Sequence, residues 1–464
     1  MKFDKEISHY FSEWQKSENV YSDISVNDFN LINKQLCKLC TFPALTRVSG
    51  KVDLTNEKYL SLGDEDKQNY FPLISGTVVN NQISGYIHKE RLSDNSSSEE
   101  NVISWTRING KKFFIQPNSV VTSDDSFVMK PQDEGSVKYI WFALTSKMIS
   151  TEFGWTNKAG KEIIKKIDIS WFESSELREA IVKFIEYYNV KFDQYRQLIS
   201  QLKSQVESFD KAFLPAIFLT KKDPFIVEYF DQWAEKKNYL IKFKEISFEV
   251  GRILSSQPTD TLVCVKRMGF TPETVMDGNI NWFTVGDLTN VNSLFIREPR
   301  TKDKTTIELI KKKVDSRGTG RSEKLKSIRK GDVLVSFKLT VGVSKIYDSE
   351  EIAYCNEAID ILTPNEGFLA SYLAYNCMLE YPRRGSKTNN GLTLNDESKK
   401  EIEILLPKKL ESYSSFELQK LVVEFIEDWR EWRDEMFRRI DKLSQSIDQT
   451  EEVLIAKTFK GCDE

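Results

Sequence analysis

Arg317-Gly318-Thr319-Gly320-Arg321 sets two guanidiniums around a short run that also carries a hydroxyl. Cationic side chains pair with guanine edges, amide side chains with adenine, and hydroxyls or backbone amides with phosphate oxygens. The run therefore suits a nucleic-acid duplex, although a flexible solvated turn has the same composition. It lies within a basic stretch, Arg300 to Lys330, in which twelve Lys and Arg (Lys304 among them) stand against four acidic residues, a local charge of +8. A phosphate-facing loop and a solvated face are the two readings of such a stretch. Lys338 and Thr340 lie just past an apolar segment that reads as a strand, where they either meet a duplex or line a hairpin surface. Arg383, Arg384, Lys387 and Asn389 form a second basic-polar loop. In the first half the residues of suitable type are Thr77, Asn80, Asn81, Gln82, Tyr86, Arg107, Lys111 and Lys112, with Asn80-Asn81-Gln82 equally able to build a turn.

Signatures of bond-making chemistry are missing. With His9 and His88 as the only histidines, histidine-rich metal sites are excluded and a Ser-His pair has few candidates. Asp223-Pro224-Phe225 lacks the second proline of an amino-methyltransferase turn, and no phosphate-binding Gly-Lys-Ser/Thr loop occurs. Cys37 and Cys40 have zinc spacing but no second pair nearby, so no metal is expected. The chain of 464 residues is 40% hydrophobic and 29% charged, enough to bury a core in two or three domains. Its six cysteines do not make a disulfide framework in a chain this long. No apolar run approaches the roughly 18 residues of a membrane span, and the first residues carry no secretory h-region. These features predict a soluble cytoplasmic protein. The aromatics fall on helix seams and predicted strands, which argues against a stacking platform for single strands.

The chain repeats itself. Shifted by 241 positions, Ser174–Phe218 falls without a gap on Ser415–Phe459, with Leu177/Leu418, Phe184/Phe425, Ile185/Ile426, Ile199/Ile440 and Leu202/Leu443 among the identical pairs. In both copies apolar residues recur at alternating steps of four and three. The seam is Leu177, Phe184, Tyr188, Ile199 and Leu202 in the first and Leu418, Phe425, Trp429, Ile440 and Leu443 in the second. Each copy predicts one long helix, about 67 Å at ~1.5 Å per residue, with Ser174 and Ser415 as N-caps. Two such stripes need covering by each other, by partner helices or by both; two unconnected core helices are the alternative. Upstream, Val102–Trp105 matches Leu334–Phe337 at an offset of 232, and Lys166–Ile169 resembles Glu401–Ile404 just before each helix. These short β-branched and aromatic blocks read as strands.

The strongest single stretch is Lys330-Gly331-Asp332-Val333-Leu334-Val335-Ser336-Phe337-Lys338-Leu339-Thr340-Val341-Gly342. It resembles a block of the DNA-specificity (S) subunits of type I restriction–modification systems, with Leu339 where that family usually has glycine. Trp282–Leu288, Cys355–Ile359 and Ile402–Pro407 fit the same family, as do Phe71–Thr77 and Gly85–Ile87 in the first half, and Trp105–Gly110 resembles a diverged version of the block. The likeness spans about residues 50 to 464, stronger in the second half.

The resemblance implies an α+β fold: two tandem target-recognition domains, β-rich with helices, separated by two long antiparallel coiled-coil helices. The expected divisions are an N-terminal extension at 1–45 outside the repeat, domain 1 at 46–172, spacer helix 1 at 173–220, domain 2 at 221–410 and spacer helix 2 at 411–464. It further implies a non-catalytic subunit that reads a bipartite double-stranded DNA site and docks methyltransferase subunits, two in number, with a translocating nuclease subunit joining them. No cofactor is expected on this chain; S-adenosylmethionine belongs to the methyltransferase partner. A coiled-coil scaffold whose globular parts bind protein is the alternative.

Overall fold

The computed structural model describes the chain apart from residues 1–4, 25–30, 44, 46–47, 49–51, 77–79, 93–99, 108–111, 149–157, 219–221, 254–262, 268–277, 290–292, 300–303, 307, 310–326, 389–390 and 460–464. It divides into two units, Met1–Gln201 with Ile440–Glu464 and Leu202–Arg439.

In unit 1 a helix, Lys5–Glu18, precedes strands β1 (Leu31–Gln35), β2 (Cys40–Thr41), β3 (Tyr70–Ile74), β4 (Ile83–His88), β5 (Val102–Thr106), β6 (Phe113–Gln116), β7 (Val121–Thr122) and β8 (Ser126–Pro131). The helix Val137–Met148 and strand β9 (Asp168–Phe172) follow, then the first long helix, Ser175–Ile217. The sheets are β2-β8-β5-β6, β4-β3-β7 and the pair β1-β9. β5 is central and buried along its whole length, and its Trp105 indole donates to the Ala159 carbonyl at 2.9 Å. A buried indole needs such a partner for its N–H.

Unit 2 repeats the plan. A helix, Pro224–Lys236, leads into β10 (Phe248–Arg252), β11 (Val263–Arg267), β12 (Ile280–Phe283), β13 (Phe295–Ile296), β14 (Lys304–Thr305), β15 (Val333–Ser336), β16 (Lys338–Leu339), β17 (Ser344–Tyr347), β18 (Tyr354–Cys355) and β19 (Ile359–Pro364). After the helix Ala370–Arg384 come β20 (Ser386–Thr388), β21 (Gly391–Thr393), β22 (Glu403–Pro407) and the second long helix, Ser415–Phe459. The sheets β11-β19-β15-β17-β13, β14-β12-β18 and β10-β22 correspond to those of unit 1, down to the parallel pairing of β3 with β7 and of β12 with β18. A small ribbon, β16-β21-β20, is added.

Residues 1–45 are not an extension outside the repeat. β1 pairs antiparallel with β9, from Leu31 opposite Phe172 to Gln35 opposite Asp168, as β10 pairs with β22. The helix before it carries Ile7, Tyr10, Phe11, Trp14 and Asn19, which recur at an offset of 219 as Ile226, Tyr229, Phe230, Trp233 and Asn238. Phe11 and Trp14 lie 5.2 and 5.7 Å from Phe184; Phe230 and Trp233 lie 5.0 and 5.2 Å from Phe425, the equivalent ring. Both asparagines end their helices with positive φ, 51° and 60°, the left-handed cap that asparagine tolerates.

The long helices meet within each unit. In unit 1 the Arg196 guanidinium donates to Asp448 at 2.9 Å and also to Glu451. In unit 2 Phe209 packs on Trp429 and Phe213 on Phe425, so the pairing is antiparallel there, and Arg433 donates to both carboxylate oxygens of Asp210 at 3.0 Å. Ser174 caps the first helix, accepting from Leu177 N–H at 3.2 Å. The second cap is Ser414 rather than Ser415. A capping box decides this: the Ser414 Oγ accepts from Glu417 N–H at 3.2 Å, and the Glu417 carboxylate accepts from Ser414 N–H at 2.7 Å. One turn further in, Arg178 is buried and tied to Asp133 at 2.8 Å and to the Phe172 carbonyl at 2.7 Å. Its repeat equivalent Gln419 is also buried and accepts from Leu369 N–H at 2.9 Å. Different side chains thus anchor the same turn. Among the described residues no helix is long and apolar enough to cross a membrane.

Candidate nucleic-acid interface

In unit 2 the Lys330–Gly342 block is a strand-and-turn device that aims a ribbon. Gly331 takes φ +87°, which turns the chain so that buried Asp332 accepts from Arg329 N–H at 2.8 Å and from the Thr363 hydroxyl at 2.6 Å. β15 then runs through the sheet core to Ser336, which is buried. Its hydroxyl donates to the Thr340 carbonyl and accepts from Val343 N–H at 3.1 Å, cinching the loop between them. Beneath the loop, Phe337 is buried with the Lys399 ammonium 3.6 Å from its ring centroid. Lys399 pairs with Asp360 at 2.5 Å, both side chains being almost completely buried. Gly342, at φ +90°, closes the loop against Pro382, where a Cβ would come within 2.5 Å of the proline ring.

On this base Lys338 lies opposite Thr393 and Leu339 opposite Leu392, while Ser386 and Lys387 pair with the same two residues from the other side. The fold therefore brings Lys338, Thr340 and Lys387 to one exposed ribbon. Arg383 and Arg384 are exposed nearby, but each has a carboxylate partner, Glu380 at 2.7 Å and Glu401 at 3.5 Å. The Lys304 backbone pairs in β14 with Asn281. Arg317, Thr319, Arg321 and Asn389 lie outside the described residues.

In unit 1 the equivalent turn joins β5 to β6, with Arg107 and Lys112 exposed at its two ends; Lys111 and Thr77 lie outside the described residues. Asn80 lies in the turn between β3 and β4. Gln82 is not a surface reader. It is fully buried, donates to the Ser75 carbonyl at 2.9 Å and accepts from the Ser104 hydroxyl at 2.7 Å. Gln116 joins this network, donating to Ser104 Oγ at 3.0 Å and to the Asn81 carbonyl at 2.8 Å. Buried amides hold their place by such bonds, and a polar letter in a turn-rich string did not reveal that burial. Asn81 takes φ 52° and donates to the Ile115 carbonyl at 3.2 Å, so it builds the turn. Tyr86 is half-buried with one face stacked on Tyr59 at 3.5 Å, and burial raises its hydroxyl pKa. The residues that sequence reasoning missed are these supports, Ser336, Asp360 and Lys399, whose types carry no signal until the fold brings them together.

Along the long helices, Leu177, Phe184, Leu418, Phe425, Trp429 and Ile440 are buried. Tyr188 and Ile199 are half-buried. Leu202 and Leu443 remain 37% and 53% exposed, so neither is fully covered within this chain. Cys40 is buried, which pushes its thiol up to about 12, whereas Cys37 is exposed.

Residues 50–207 match the family model of the type I restriction modification DNA specificity domain. No curated protein matches the sequence. Among solved structures, a chain from work on complex assembly and conformational transition of the type I R-M system is similar, with a TM-score of 0.59 and 14% identity over 93% of this chain and 98% of that one. The crystal structure of the HsdS subunit from Thermoanaerobacter tengcongensis is similar with a TM-score of 0.53 and 13% identity over 93% of this chain and 97% of that one. Residues 50–207 thus carry a domain similar to the type I restriction modification DNA specificity domain, and the fold of the chain is similar to that of the two solved chains.

Proposed function

We propose that this chain gives a type I restriction–modification complex its sequence specificity without making or breaking bonds itself. Each unit reads one half of a bipartite duplex site. The two long helices fix the spacing between the halves and dock two methyltransferase subunits, which bind S-adenosylmethionine; a translocating nuclease subunit joins that assembly. The observation that carries this reading is the duplication, in which a unit of one topology occurs twice and each copy is built onto both long helices.

Gel-shift selection from random duplexes with the complex should return one split motif. The logarithm of its binding constant should fall linearly with log salt, with a slope of about −0.9 per phosphate neutralised. Sequence-independent binding would overturn the reading. The exposed apolar residues on the long helices favour one competing function, a protein scaffold, which predicts negligible DNA affinity even at low salt.

Docking has its own test. Because Leu202 and Leu443 are both partly exposed, Leu202→Asp with Leu443→Asp should change stability by only about 1 kcal/mol, roughly 0.5 for each site. The same double variant should lose methyltransferase on co-purification. Retention of a stoichiometric methyltransferase would remove these two leucines from the docking surface.

A further inference from the structure

Among the described residues, seven other than glycine have positive φ. Four are asparagines, which visit that region readily. Gln82 is held there by its buried network, and Tyr21 by stacking on Trp14 at 6.0 Å. The seventh is Leu339, at φ +68°, and its side chain is 62% exposed. A leucine in this conformation is strained, and one left mostly in water returns little to the fold through burial. Strain that the fold does not use points to a role outside it.

The surroundings say what kind of role. Leu339 shares a ribbon face with Leu392 and Lys387, since directly opposed residues point the same way. Lys338 and Thr340 flank it in the chain, both exposed. Among the described residues no carboxylate pairs with Lys338 or Lys387. The result is an apolar tip between unneutralised cations on a narrow ribbon. A DNA major groove admits such a ribbon and presents one apolar feature, the C5-methyl group of thymine.

We propose that Leu339 is a specificity-determining residue that packs on the C5-methyl of a thymine in the half-site read by unit 2, with Lys387 on a neighbouring phosphate. This rests on the DNA-reading role proposed above. The test uses the full chain with its methyltransferase partner and duplexes of the selected site, each unit-2 thymine being replaced in turn by uracil, which lacks only the methyl. One replacement should weaken wild-type binding about 3- to 10-fold and leave Leu339→Gly binding unchanged. Leu339→Gly should bind the thymine duplex as weakly as wild type binds the uracil one. Glycine relieves the strain, so the variant's melting temperature should hold or rise, separating lost contact from lost fold. A half-site without thymine, uniform indifference to uracil, or a Leu339→Gly variant with wild-type affinity and motif would each overturn the proposal. A wild-type complex with no sequence preference would instead overturn the DNA-reading role beneath it.

Discussion

Lys399→Met should destabilise unit 2 by about 3–5 kcal/mol, the cost of leaving one member of a buried ion pair without its partner. Lys399 and Asp360 are 1% and 0% exposed and 2.5 Å apart. Their neighbours show how dry the site is: burial, followed by the charge of Asp360, pushes the thiols of Cys355 and Cys377 well above their ordinary range. Removing the ammonium takes the paired charge from the buried Asp360 carboxylate, whose contacts include the Tyr381 hydroxyl at 3.3 Å. It also strips the cation from the face of Phe337, on which the ribbon rests. Asp360→Asn should cost a similar amount. The double variant, Lys399→Met with Asp360→Leu, should recover most of the loss, because a buried pair adds little net stability over apolar residues of similar volume. Urea denaturation of the full chain, with hydrogen exchange to assign the loss to residues 202–439, measures all three. Equal stability of Lys399→Met and wild type would show that the pair is solvated.

Gly342→Ala should be the other severe substitution. Alanine at φ +90° pays conformational strain of about 1–2 kcal/mol. Its Cβ would also lie 2.5 Å from two ring carbons of Pro382, inside the helix Ala370–Arg384. Overpacking of this kind costs roughly 1–3 kcal/mol, and a proline within a helix has little room to withdraw. A total near 3 kcal/mol follows if the loop holds. If it yields, the ribbon that carries Lys338, Leu339 and Thr340 moves instead. Both outcomes are measurable: the first as a lower urea midpoint, the second, on the DNA-reading role proposed above, as lost reading of the unit-2 half-site with the other half-site still recognised. Gly367→Ala is the control. It too has positive φ, +80°, but no atom within 4 Å of an added Cβ, so it should cost only the strain.

The repeat was legible wherever an unbroken helix preserved the residue count, as over Ser174–Phe218 and Ser415–Phe459. It was also legible for β5 and β15, whose apolar strings match. It failed at the N-terminus because loops of different length separate the leading helix from the rest. The offset falls to 219 there, and the Phe11/Phe230 and Trp14/Trp233 matches escape a search at 232 or 241. The family resemblance rested most on the second half, yet the matched domain lies over residues 50–207. Individual candidate DNA-contact residues were the least legible. Glutamine at 82 and lysine at 338 have the same prior claim on a base, and only burial separates them: the first is enclosed and bonded to Ser75 and Ser104, the second stands in water. The cap at Ser414 was missed by one residue because an unbroken 241-residue offset points to Ser415, whereas reciprocal bonding with Glu417 selects the serine before it.

Unit 1 draws its residues from both sides of unit 2, and this orders events during synthesis. Tyr139 packs edge-on against Phe459 at 5.3 Å, the Ser170 hydroxyl donates to the Phe459 carbonyl, and Leu454 lies in the same core. None of these partners exists until residues 202–439 have left the ribosome, a delay on the order of tens of seconds at ordinary elongation rates. For that interval the nascent first unit carries an open aromatic surface. A prematurely terminated product keeps that surface for good, and chaperones or proteases will meet it there.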